Sequence, residues 1–85
     1  MKVRVLFFAA LREQVGVGSE EIELPGDAST VGALRERLAS RGGEWRSALA
    51  EGKLLRCAVN QDIASSSATI QAGDEVAFFP PVTGG

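Results

Sequence analysis

The sequence contains no histidine, no tyrosine and a single cysteine, Cys57, among its 85 residues. Without histidine, Ser-His and Cys-His nucleophile pairs are excluded, and so is the commonest metal ligand. One cysteine can form neither an intrachain disulfide nor a cysteine zinc cluster. We therefore predict no metal site and no bound cofactor, and we predict Cys57 to be a small buried hydrophobic residue. The composition disfavours a self-sufficient enzyme.

An excess of basic charge and a long apolar run are also missing. Nine basic and eleven acidic residues give a net charge of −2, so nothing indicates binding to nucleic acid or to an anionic membrane. The apolar run at residues 5–11 is short for a signal peptide, and charged residues rather than a cleavage site follow it. No run approaches the ~20 residues of a membrane span. We expect one cytoplasmic domain.

Alternation of apolar and polar residues predicts the strands. In "KVRVLFF", at residues 2–8, Val3, Val5 and Phe7 share one face. The same alternation in "EVAFF", at residues 75–79, predicts the last strand. Further strands are predicted in "SEEIELP" and "KLLRCAVNQDIA", and an irregular strand around Ile70.

The clearest helix is predicted in "STVGALRERLASRGG". Ser29 or Thr30 can cap its N-terminus, and Val31, Leu34 and Leu38 recur at the spacing of one helical face. Shorter helices are predicted in "AALREQVG" and "EWRSALAEG". A main helix between early and late strands implies a crossover in a mixed sheet. We therefore predict an α+β domain over residues 1–79, with about five strands covered on one face by one main helix.

The uncovered face of this sheet is predicted to be apolar at one end. Four side chains of the first and last strands alternate outward: Leu6, Phe8, Ala77 and Phe79. If the two strands are neighbours, these residues form one patch, here called the outer-face patch. A contiguous exposed apolar patch usually marks an interface, so we predict that a partner binds here. A covering loop of the same chain, or a strand buried on both faces, is the alternative.

The chain ends in six residues that we predict to form a flexible, extended tail: Pro80, Pro81, Val82, Thr83, Gly84 and Gly85. The prolines cannot donate ladder hydrogen bonds, so the last strand ends before them. Extended, the tail reaches about 20 Å, and its two glycines fit a slot that any Cβ would block. Its tip is the Gly85 carboxylate, which is a poor acyl donor. It would need activation by another protein, such as ATP-dependent adenylation.

Three segments of the chain resemble the small subunit of molybdopterin synthase, a family of sulfur carriers. They are "VLFFAALRE" at residues 5–13, "GKLLRCAVNQ" at 52–61 and "GDEVAFFPPVTGG" at 73–85. The resemblance covers essentially the whole chain, and the last segment is long and specific. It implies a β-grasp, ubiquitin-like fold, in agreement with the α+β architecture predicted from the residues.

The resemblance also implies a function. An E1-like enzyme would use ATP to adenylate Gly85, and a sulfur donor protein would supply the sulfur that makes it a thiocarboxylate. The tail would enter the active site of the large synthase subunit, where the catalytic residues are expected. There the sulfur would pass to precursor Z (cyclic pyranopterin monophosphate) during molybdenum cofactor biosynthesis, within a heterotetramer.

Individual residues match the family's functional positions. Phe8, Arg12 and Phe79 match its partner-facing surface, and Gly84 and Gly85 match its functional tail. The dipeptide "RC" at residues 56–57 has no role that the resemblance assigns.

The diglycine tail by itself leaves other functions open. A ubiquitin-like protein modifier would join the activated Gly85 to lysines of target proteins. A thiamin-pathway sulfur carrier would share the fold and the diglycine, but the sequence of residues 78–83 favours the molybdopterin pathway. A binding module whose terminus has no chemical role is the remaining alternative.

Overall fold

The structure is a computed structural model, and it describes residues 1–50, 52 and 54–81. Seven strands and three helices follow one another in these residues: β1 (Lys2–Phe7), α1 (Ala9–Val15), β2 (Ser19–Glu23), β3 (Ala28–Thr30), α2 (Val31–Ala39), α3 (Gly43–Leu49), β4 (Arg56–Val59), β5 (Asp62–Ala64), β6 (Thr69–Gln71) and β7 (Glu75–Phe79). All the predicted elements are present. The three-residue strands β3 and β5 were not predicted as separate strands.

Five strands form one mixed sheet in the order β2-β1-β7-β4-β5. The first and last strands, β1 and β7, are parallel neighbours at its centre, and every other pairing is antiparallel. The remaining strands, β3 and β6, pair with each other in a separate two-stranded sheet. The predicted five-stranded mixed sheet with one crossover is therefore confirmed.

The core lies between one face of this sheet and the helices. Val3, Val5 and Phe7 of β1 pack in one buried cluster with Val31, Leu34 and Leu38 of α2 and with other apolar side chains. Thr30 caps α2 as predicted, because its hydroxyl accepts a hydrogen bond from the Ala33 amide at 3.1 Å. This face of the sheet is filled, which leaves the opposite face for other contacts.

Two predicted boundaries move in the structure. The first strand, predicted to reach Phe8, ends at Phe7, because Phe8 is the N-cap of α1. The main helix ends at Ala39 rather than at the glycines that follow; Gly42 is the N-cap of α3 and Gly43 begins it. The prediction placed the end of the main helix at these two glycines. In the structure they instead form the start of α3.

Candidate functional site at the outer face and the root of the tail

The pairing of β1 with β7 brings the four predicted patch residues together. Leu6 lies directly opposite Ala77 in the parallel register. One step further along, the Phe8 amide donates a hydrogen bond to the Phe78 carbonyl at 3.3 Å, which places Phe8 beside Phe79. The prediction required β1 and β7 to be adjacent strands, and they are. The patch lies where β7 ends and the tail begins.

The outer-face patch is open to solvent. Phe8 is 46% exposed, and Leu6, Ala77 and Phe79 are half-buried. By contrast, Phe7 and Phe78, which alternate with them, are only 1% exposed. Within the described residues no loop covers the patch, and the patch side chains of β1 and β7 are not buried. Both alternatives to a partner surface are therefore disfavoured.

The backbone turns sharply at Ala9, directly after Phe8, and this turn leaves the ring of Phe8 at the surface. Phe8 has extended dihedrals, φ −122° and ψ 156°, whereas Ala9 has φ 55°, in the left-handed region that residues with a Cβ seldom adopt. The Arg12 amide donates to the Phe8 carbonyl at 3.3 Å, which closes the first turn of α1. The strand therefore passes directly into the helix, with the ring of Phe8 left at the surface.

Arg12 lies one helical turn after Phe8, and its side chain is exposed. It passes close to Gly18, since a Cβ built on that glycine would come 3.1 Å from Arg12 Nε. Gly18 therefore leaves room for the guanidinium next to the end of β1. Gly18 lies opposite Phe7, whose side chain faces the core, so this contact is on the helix side of the sheet edge. That Arg12 faces a partner stays a prediction.

The outer-face patch is larger than the sequence indicated. Ala77 pairs with Ala58 of β4, and Ala58 pairs with Ile63 of β5. Because paired residues share a face, the apolar row that begins at Leu6 continues across the sheet to its edge. Ile63, at that edge, is 67% exposed. The sequence feature that could have predicted this extension is the turn at residues 60–61. This turn divides "AVNQDIA" into two strands and thereby determines which face Ile63 occupies.

The root of the tail is packed against the domain. Pro80 and Pro81 are half-buried, and Pro80 lines a groove of about 230 Å³ together with Leu11 of α1 and Ala48 of α3. The other four predicted tail residues, Val82 to Gly85, lie outside the described residues, as do Glu51 and Lys53. The structure therefore shows where the tail starts and which side chains surround its first two residues.

The described side chains offer little chemistry of their own. Cys57 is buried, and its thiol donates to the Ala64 carbonyl at 3.0 Å. Burial raises the pKa of the Cys57 thiol, which disfavours the reactive thiolate. In the parts of the chain that the structure covers, no three Asp, Glu or Cys side chains are grouped closely enough to hold a metal ion. Each helix there is too short or too polar to cross a bilayer.

Comparison with known proteins decides the family. Residues 5–85, nearly the whole chain, match the ThiS family. The chain belongs to the ThiS family. Among curated ThiS-like relatives, the molybdopterin synthase sulfur carrier subunit of Escherichia coli is 51% identical over 98% of this chain and 99% of its own length. The protein of the same name from Haemophilus influenzae is 49% identical over the same shares of the two chains.

Solved structures confirm the β-grasp fold of this ThiS family member. SAMP1 from Haloferax volcanii superposes with a TM-score of 0.78 at 28% identity, and the match covers all of both chains. A chain of the BexX/CysO complex from Amycolatopsis orientalis gives a TM-score of 0.65 at 25% identity, over 98% of this chain and 99% of that one. The ubiquitin-like fold implied by the resemblance is therefore confirmed.

Proposed function

We propose that this protein is the sulfur-carrier subunit of a molybdopterin synthase, with its chemistry on the Gly85 carboxylate. Relatives that are about half identical over nearly the full length bear that name. The observation that carries the proposal is the position of the outer-face patch: exposed Phe8 and half-buried Phe79 lie side by side where the tail leaves the sheet. A partner that binds the patch therefore lies next to the start of the tail.

The partner is the large subunit of the synthase. The name of the relatives is that of a subunit, and the structural neighbour from Amycolatopsis orientalis is part of a two-protein complex. The six residues from Pro80 to Gly85 span about 20 Å when extended. That length allows Gly85 to reach an active site deep in a partner docked on the patch. Two carriers serve each pterin, because the dithiolene has two sulfurs, and this fits a heterotetramer around a large-subunit dimer.

The activation chemistry belongs to a separate E1-like enzyme. A Gly85 carboxylate oxygen attacks the α-phosphorus of ATP, and pyrophosphate leaves. Sulfide released by a donor protein then attacks the acyl carbon, and AMP leaves, which gives the thiocarboxylate. In the large subunit the sulfur passes to precursor Z, and water restores the carboxylate. The carrier contributes no catalytic side chain, in keeping with its lack of histidine and its buried cysteine.

Intact-mass spectrometry tests this function. The full-length protein is incubated with its E1-like enzyme, ATP and a sulfur donor. The expected product is heavier by the difference between sulfur and oxygen, and it should convert precursor Z when the large subunit is added. The chain lacking Gly85 is the matched control and should show neither change. Failure of the full-length chain to gain sulfur would exclude the carrier function, and attachment to lysines instead would indicate a protein modifier.

A further inference from the structure

Arg56 lies beside the outer-face patch, although the sequence analysis assigned it no role. It is the first residue of β4 and pairs with Phe79 of β7. Its neighbour Cys57 is buried, so Arg56 points to the opposite, outer face. Phe8, Phe79 and Arg56 therefore form one row across three adjacent strands, and the Arg56 side chain is exposed.

No carboxylate of the described residues neutralises Arg56. The one ion pair among those residues joins Arg41 to Glu20, and the Arg56 side chain makes no hydrogen bond to any of them. The acidic side chains of the outer face lie at the other end of the sheet, where Glu21 and Glu75 are the register partners of Arg4. Glu75 is four residues before Phe79, about 13 Å along the strand. Among the described residues, the positive charge of Arg56 therefore has no acidic partner at the tail end of the sheet.

The surface around Arg56 fits an acidic side chain. Phe79, the register partner of Arg56, and the exposed Ile63 provide apolar surface on the outer face. A groove of about 400 Å³ beside β4 lies on the other, helix-covered face, because Val31, Cys57 and Phe78 line it. The methylene stem of an acidic residue can pack beside the Phe79 ring while its carboxylate pairs with the guanidinium.

We propose that Arg56 binds a carboxylate of the large subunit docked on the outer-face patch. This proposal rests on the function proposed above, which supplies the partner. Arginine suits the contact because its planar guanidinium pairs with carboxylates in a bidentate manner. Arg56 on β4 places a positive charge beside the aromatic pair on the side away from β1. Such an arrangement fixes the orientation of the partner and thereby the direction of the tail.

The test compares two arginines of the same outer face. Arg56→Gln removes the proposed contact, and Arg4→Gln removes a guanidinium whose register partners are glutamates at the far end of the sheet. Binding of each full-length variant to the large subunit of the same organism is measured by calorimetry at about 0.05 M and about 0.5 M salt. Arg56→Gln should weaken binding roughly tenfold at low salt. The loss should shrink at high salt, and Arg4→Gln should bind as the wild type does.

The outcomes separate this proposal from the proposed function. Melting temperatures of both variants should equal that of the wild type, because both side chains are exposed. If Phe79→Ala weakens binding but Arg56→Gln does not, the Arg56 contact is refuted and the docking face stands. Equal losses for Arg56→Gln and Arg4→Gln would also refute it, since they would reflect net charge alone. If the wild type does not bind the large subunit, the proposed function itself fails.

Discussion

Two residues with positive φ make the tightest turn of the sheet. Asn60 (φ 49°) and Gln61 (φ 73°) connect β4 to β5 as a two-residue hairpin loop, closed by the pair Val59 and Asp62. Such loops favour Asn followed by Gly, because glycine adopts positive φ without a steric cost. We expect Gln61→Gly to raise the free energy of unfolding by about 0.5–1 kcal/mol. Urea denaturation of the two proteins measures this change.

Asn60 differs from Gln61 because its side chain is also used. Its amide nitrogen donates to Asp74 at 3.1 Å, and its oxygen accepts from the Glu75 amide at 3.0 Å. Asn60→Gly should therefore destabilise the fold by about 1–2 kcal/mol, although glycine tolerates the same φ. Equal effects of glycine at positions 60 and 61 would mean that these two hydrogen bonds contribute nothing. The matched pair thus separates backbone strain from side-chain bonding at adjacent residues.

The ion pair between Glu20 and Arg41 predicts a pH-dependent stability. The hydrogen bond from Arg41 is the main cause that lowers the pKa of Glu20 below its usual 4.5. A carboxyl group whose pKa is lower in the folded state stabilises the fold at pH values above its ordinary pKa. This stabilisation is lost as the pH falls through the lowered pKa. Both side chains are about one-third exposed, so solvent limits the effect of Glu20→Gln to about 1 kcal/mol or less at pH 7.

Thermal unfolding at several pH values measures this effect. The difference between wild type and Glu20→Gln should be present at neutral pH and vanish in strong acid, where both carry a neutral side chain. The matched control is the same substitution in an Arg41→Gln background, where the hydrogen-bond partner of Glu20 is absent and the pH-dependent difference should disappear. A Glu20→Gln difference that is constant from neutral pH to strong acid would contradict the assignment.

At the scale of elements, strands with clear alternation were predictable and three-residue strands were not. β1 and β7 contain enough residues to show which side chains face the core, so the outward direction of Phe8 and Phe79 followed from the sequence. β5 has only Asp62, Ile63 and Ala64, too few to establish a period. Its face depends on the number of residues in the preceding turn, because a one-residue change in register reverses every side chain.

Arg35 illustrates a second limit of prediction at this scale. Helical spacing places it on the polar side of α2, away from Val31, Leu34 and Leu38. In the structure it is half-buried and donates to the Leu49 and Ala50 carbonyls at the end of α3. A long side chain can reach carbonyls that a neighbouring helix leaves unpaired. The position of that neighbour is a tertiary fact that the pattern of a single helix does not contain.

Ile63 provides the element-level test of the extended patch. It is 67% exposed and continues the row of Leu6, Ala77 and Ala58. Ile63→Asp should weaken binding to the large subunit by about 1–3 kcal/mol, because it places a charge in an apolar contact. Ile63→Val keeps the apolar surface and should bind nearly as the wild type does. If Ile63→Asp binds normally in the same calorimetric measurement, the docking surface ends before β5.

At the scale of the whole molecule, the buried core and the proposed reactive carboxylate of Gly85 are separate in sequence. Every buried core residue lies between Val3 and Phe78. Truncation after Pro81 removes Val82 to Gly85 and leaves all of those residues in place. We expect the melting temperature to change little, while sulfur loading is abolished because the Gly85 carboxylate is gone. Calorimetry and intact-mass spectrometry of the same sample measure both properties.

A second truncation, after Phe79, locates the boundary between body and tail. Pro80 and Pro81 are half-buried, and Pro80 contacts the groove between α1 and α3. Removal of the two prolines exposes the apolar lining around Leu11 and Ala48. The chain ending at Phe79 should therefore have a free energy of unfolding roughly 1 kcal/mol lower than the chain ending at Pro81, and a lower melting temperature. Equal melting temperatures would place the start of the tail at Pro80. A lower one would mean that the two prolines belong to the folded body and set the direction in which the tail leaves it.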